Sequence, residues 1–172
     1  MNNKKSIKKL IASMLIAASV CVCVPFSVNA LATNSLSQET RETLISETVE
    51  YFEDGSSITT STYRTPASTR AATYEQSGRK TISFKDSNGK LLWDYSVYGV
   101  FTVNPGVSAT CTSVTGLPKI YDNSWSIVSN KPSRSGNKAT GTITMQKKVL
   151  GTVAQTVTET ATLTCDANGK LS

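Results

Sequence analysis

The residue types in this chain that could do chemistry are four cysteines, twelve carboxylates and many serines, threonines and lysines; histidine is absent. Without histidine no Ser-His-Asp or Cys-His constellation can be assembled. A histidine-ligated zinc is equally excluded. Serine activated by lysine is formally open, but both are so abundant that no pairing stands out. Paired carboxylates could run glycoside hydrolysis, yet the acidic residues crowd into one early segment, where Glu47, Glu50 and Glu53 read as solvated strand faces. No catalytic residue, no metal site and no cofactor is therefore expected, and the chain reads as a non-enzyme. A histidine-free hydrolase is the enzymatic alternative.

The cysteines fall into two classes. Cys21 and Cys23 lie within an apolar run from Leu10 to Val24, preceded by Lys4, Lys5, Lys8 and Lys9 and ended by Pro25. Small residues follow, and Val28-Asn29-Ala30 or Ala30-Leu31-Ala32 would suit a signal peptidase. A run of about 15 apolar residues is short of the roughly 20 that a spanning helix needs. Residues 1–30 are thus expected to be a removable export signal, and the protein to be secreted and extracellular, with no integral membrane segment after signal removal. Val20 and Val22 stand where a lipidation site would want a small residue before its cysteine, and no lipid anchor or wall-sorting motif is expected.

Cys111 and Cys165 remain, and in an oxidising compartment such a pair is expected to form an intramolecular disulfide. Closing so long a loop would stabilise the fold by roughly 4 kcal/mol in the chain-entropy model. The alternative of metal-binding or redox cysteines lacks the close spacing such sites use.

Charge divides the chain as well. The whole sequence carries +6, but four of its 18 basic residues and none of its 12 acidic ones lie in residues 1–30, which leaves +2. The high pI is therefore no sign of nucleic-acid binding. Residues 31–54 hold Arg41 against five glutamates and Asp54, a balance of −5, and the rest carries +7. This suggests a solvated surface or, more sharply, an acidic segment that docks on a basic face. Lys147 and Lys148, with Lys138 and Arg134, could attract acidic polymers or anionic membranes.

These groups must be positioned by strands, because apolar residues recur at every second place and turn signals fall every 8 to 12 residues. Thr48–Phe52, Asp54-Gly55 and Ile58–Tyr63 read as a hairpin. Residues 65–78 read as a polar linker, so the sequence divides into a signal (1–30), an acidic leading segment with hairpin and linker (31–78) and a β-sandwich body (79–172). In the body, Ile82 and Phe84 lead through Ser87-Asn88-Gly89 to Trp93, Tyr95, Val97, Phe101 and Val103. Gly99 interrupts that row and marks a bulge or a close crossing. Later strands carry Val107 to Cys111, Trp125 to Val128, Ala139 to Met145 and Val153 to Cys165. Both cysteines fall on apolar-facing positions of separate strands. The predicted fold is all-β, an antiparallel β-sandwich of immunoglobulin-like or jelly-roll character with one inter-sheet disulfide. Gln155 and Glu159 interrupt the last apolar row and are expected near an edge.

Asn88-Gly89-Lys90 before Trp93, Ala109-Thr110-Cys111-Thr112, Tyr121–Trp125, Ser135–Thr140 and Leu163-Thr164-Cys165 with Ala167–Ser172 resemble small secreted proteins of Gram-positive anaerobes, a family without assigned activity. The resemblance covers roughly residues 79–172. It implies export, a disulfide and an all-β body, and it brings no catalytic residue. Function is then expected in binding. Tyr98 lies on the face opposite Trp93 and Tyr95, and Trp125 follows a turn, so these two are the candidate ligand-binding residues, able to offer a flat surface to a cell-surface glycan or an extracellular protein. Trp93 is expected in the core. A small secreted toxin or bacteriocin-like effector is the alternative to a binding module.

Overall fold

A computed structural model describes residues 41–67 and 72–172. The expected signal, residues 1–30, and the start of the leading segment lie outside the described residues. Eight strands follow one another: β1 (Thr43–Tyr51), β2 (Ser57–Thr65), β3 (Tyr74–Lys85), β4 (Leu91–Asn104), β5 (Ser108–Ile120), β6 (Trp125–Ser135), β7 (Lys138–Val149) and β8 (Thr152–Thr164). Among the described residues no helix is long and apolar enough to cross a membrane.

The strands make two antiparallel sheets, one ordered β1-β2-β3-β4-β5 and the other β6-β7-β8. Within each sheet every strand pairs with the next in sequence, and the chain passes from one sheet to the other between β5 and β6. The sandwich is thus two consecutive meanders, not the Greek-key connectivity of an immunoglobulin or jelly-roll domain. Within each sheet the connections favour antiparallel pairing of consecutive strands, whereas the equally short Tyr121–Ser124 connection carries the chain from one sheet to the other. Two of the turns, Asp86-Ser87-Asn88-Gly89-Lys90 and Asp166-Ala167-Asn168-Gly169-Lys170, are built alike. In each, one aspartate oxygen accepts the backbone N–H groups two and four residues on, at 2.8–2.9 Å. The second turn sends Leu171 back to bridge Cys165 at the end of β8.

The boundary expected after residue 78 falls inside β3. Nine residues of β2, from Ser57 to Thr65, pair with β3, so the leading hairpin is part of the larger sheet; residues 68–71 of the expected linker lie outside the described residues. The first half of β3 reads as linker because its inward residues are polar or absent. Gln76 is buried and donates to the carbonyls of Thr65 and Ser77 at 2.9 and 2.8 Å. Gly78 accommodates the Leu171 side chain, and Lys80 donates to the carbonyl of Thr162 at 3.0 Å. Burial pushes the Lys80 amine below its ordinary pKa.

The core lies between the sheets, with β8 over β3 and β4 and β6 over β5. At one end Phe84, Trp93 and Trp125 meet, Phe84 stacking on Trp93 at 5.3 Å and meeting Trp125 edge-on at 5.4 Å. Phe52, from the β1–β2 connection, joins this cluster at 6.2 Å from Phe84. The indole N–H groups of Trp93 and Trp125 find no acceptor there. Each such group costs about 1–3 kcal/mol, which the aromatic burial must outweigh. Halfway up, the Tyr95 hydroxyl sits against Gly116 and Gly141 and donates to Asn130 at 2.8 Å. Gly99 marks a close crossing: a side chain there would strike Ala139 of β7, and the β4–β5 register slips just beyond it, between Val100 and Phe101.

Candidate functional site

The outward face of the five-stranded sheet gathers the aromatic and charged residues. Register places Tyr63, Arg79, Tyr98 and Thr115 side by side across β2, β3, β4 and β5. The Arg79 guanidinium carbon lies 3.9 Å from the centroid of Tyr63 and 5.9 Å from that of Tyr98. Two tyrosine rings thus flank one planar cation, an arrangement suited to arginine. Glu42, just before β1, closes the group: its carboxylate accepts from Nε and Nη2 of Arg79 at 2.8 and 2.6 Å. Burial opposes the arginine's charge, but Glu42 and the two tyrosines more than offset it and raise its pKa above the usual arginine value. This ion pair joins the acidic leading segment to the basic body.

Below this row lies a row of buried hydroxyls, Ser61, Thr81 and Ser96, paired in register with one another and with Leu117. The Thr81 and Ser96 hydroxyls meet at 2.9 Å, Ser61 donates to Glu47 at 2.8 Å, and Arg79 Nη1 donates to Thr81 at 3.0 Å. Longer neighbours cover small side chains that face away from the core. A third row adds Asp94 and Lys119, with the Tyr121 hydroxyl donating to Asp94 at 2.7 Å and Lys119 4.8 Å above the Tyr121 ring. Tyr98, Tyr121 and Leu117 remain 38%, 43% and 52% exposed. Apolar and aromatic surface therefore stands in solvent over a floor whose polar groups are already satisfied.

Tyr98 lies where strand alternation predicts. Trp125 does not: it is 3% exposed and packed against Trp93 at 6.1 Å. The turn at Asp122–Ser124 directs it inward, and it drops out as a ligand-binding candidate. Tyr63 and Arg79 escape a sequence-level search because their adjacency is made by β2–β3 pairing, which the polar inner residues of β3 conceal.

The four-cation cluster also divides. Arg134 and Lys138 flank the Gly136-Asn137 turn, whereas Lys147 pairs with Trp125 at the opposite end of β7. Among the described residues no three His, Cys, Asp or Glu side chains come together as metal ligands.

Cys111 and Cys165 are buried, one in each layer, and are free thiols in the structure; the predicted bridge is not formed. Both dock on one turn, Cys111 N–H donating to Gly136 at 2.8 Å and Cys165 N–H to Asn137 at 3.0 Å. Burial pushes the Cys111 thiol up, and burial together with Asp166 and Cys111 pushes Cys165 up to about 11. Buried thiols held protonated are poor nucleophiles. No family model, curated protein or solved structure matches this chain.

Proposed function

We propose that this protein is a secreted, non-enzymatic binding module that recognises a cell-surface glycan or an extracellular protein through the outward face of its five-stranded sheet. One observation carries the reading: Tyr98 and Leu117 stand exposed beside an arginine clamped between two tyrosines, on a face of a sheet that a core would not need to furnish this way. Aromatic rings and arginine supply most of the energy at binding hot spots, and they do so best when held rigid before the ligand arrives. Arg79 is held by Glu42, Thr81 and Tyr63. The leading N-terminal run of lysines and apolar residues supports export. In that setting Cys111 and Cys165, buried on one turn, would be joined as a disulfide; peptide mapping of protein from culture medium would show one cross-linked pair, and two free thiols would refute it. Nothing in the charge distribution calls for nucleic acid.

The test is a labelled chain lacking residues 1–30, applied to arrays of bacterial wall glycans and extracellular proteins beside Tyr98→Ala and Leu117→Ala. Binding lost in both variants, with unchanged melting, supports this face, and the array that responds identifies the ligand class. Binding indifferent to both variants places recognition elsewhere and overturns the assignment.

A further inference from the structure

The β7–β8 turn breaks the rules that the other turns keep. Leu150 (φ 51°) is the only non-glycine residue with positive φ among the described residues, and Gly151 follows it at φ 80°. Two consecutive left-handed residues make the tight hairpin turn that Asn-Gly or Gly-Gly fills without strain. Leucine has no side-chain polar group to stabilise that conformation, and its Cβ opposes it. No packing compensates, since Leu150 is 100% exposed. Val149 and Val153 on either side are 50% and 47% exposed.

The tip stands clear of the body. Lys148 N–H donates to Ser124 at 2.9 Å, and the backbone bonds from Val149 to Thr152 are those of the hairpin itself. Lys147 and Lys148 form the base of the tip, and the chain has no acidic residue from Thr140 to Thr158. Three carboxylates on the turns at this end are engaged locally, Asp122 with Lys90 at 2.8 Å, Asp86 with its own turn at 2.9 Å and Asp54 with Ser56 at 3.0 Å; Glu53 is exposed on the β1–β2 turn. Strain kept where the fold gains nothing from it points to a use outside the fold.

We propose that this tip contacts membranes: Leu150, with Val149 and Val153, enters the interface of a bilayer carrying anionic headgroups, and Lys147 and Lys148 engage those headgroups. The shape and charge favour lipid as the occupant. A convex apolar point two strands wide needs a surface that yields around it, and the cations sit where headgroup phosphates would lie once the leucine is immersed. The site is independent of the Tyr98 face.

Attachment by so small an apolar group is weak and reversible, below the affinity of a single acyl chain, about 10⁴ M⁻¹. Each lysine near an anionic surface adds roughly fivefold. The experiment uses the chain from Leu31, which keeps every described residue and removes the apolar run Leu10–Val24 that would itself bind lipid. Sedimentation with phosphatidylcholine vesicles containing 30% phosphatidylglycerol, over millimolar lipid, should show partitioning that Lys147→Gln/Lys148→Gln lowers by roughly 25-fold and that pure phosphatidylcholine does not support. Leu150→Asn should lower it several-fold and also raise the melting temperature by a few degrees, because asparagine accepts the left-handed conformation. Opposite movement of binding and stability is the signature. No partitioning on anionic vesicles, unaltered partitioning in Leu150→Asn, or a lower melting temperature in that variant would each overturn the proposal.

Discussion

The two outward faces of the sandwich are both rich in hydroxyls, and they use them differently. On the three-stranded sheet, Thr140, Thr142 and Thr144 of β7 face Thr162, Thr160 and Thr158 of β8, their hydroxyls meeting at 3.3, 2.9 and 3.1 Å. That face is a closed ladder: each hydroxyl answers its cross-strand partner. On the five-stranded sheet the hydroxyls of Ser61, Thr81 and Ser96 lie buried under longer side chains, and the groups that reach solvent are tyrosines, a leucine and an ion-paired arginine. Hydroxyl content alone therefore does not distinguish a strand-stabilising face from a binding face. What separates them is whether polar groups are consumed within the sheet while apolar ones are left outside.

The largest effect should come from removing strands that one face requires. A chain beginning at Ala72 lacks β1 and β2 and with them Ile58, Phe52 and half the frame of the Tyr63-Arg79-Tyr98 row; urea titration should show loss of cooperative unfolding. Next is Trp125→Ala, which empties an aromatic contact beneath both faces and should cost about 3–5 kcal/mol. Iodide should quench neither tryptophan of the native protein well. Tyr98→Ala and Thr142→Val then set the faces against each other. The first should weaken ligand binding by roughly 30-fold, about 2 kcal/mol, with little change in melting. The second should leave binding intact and shift stability by no more than about 1 kcal/mol. Glu42→Gln, which breaks a partly exposed pair, should cost less than about 1 kcal/mol.

A pH titration sharpens the redox question. The folded pKa values of Cys111 and Cys165 lie above the ordinary thiol value, so the reduced protein binds those protons more tightly when folded. Its stability is full below about pH 9 and should fall as pH rises toward 11. The cross-linked protein has no such thiols, and its alkaline stability should lack that loss.

Much of this architecture was legible in the residues. The period-two rows through Trp93 to Val103 and Ala139 to Met145, and the Asp54-Gly55 and Asn88-Gly89 turns, fix strands and inward faces, because side-chain alternation and turn chemistry are local. Tyr98 follows from the same logic. Trp125 is not legible in the same way, because a turn directly before a residue does not say which way its side chain leaves. The start of β3 was hidden by Gln76, Gly78 and Lys80, which occupy inward positions by using hydrogen bonds or taking up no volume, and pattern registers only hydrophobicity. Tyr63 and Arg79 needed that strand before they could be neighbours. Connectivity is not legible from alternation, since a sandwich core looks the same in sequence whether its strands meander or cross.

Each sheet is a continuous stretch of chain, residues 41–120 and 125–172, and only the Tyr121–Ser124 turn passes between them. Every backbone ladder is complete on one side or other of that turn, so a cut there severs no strand pair. What it leaves on each half is a single apolar face. Two separately made polypeptides divided at Asn123 should therefore find each other in solution and restore the native assembly by complementation, with one face serving as the template for the other.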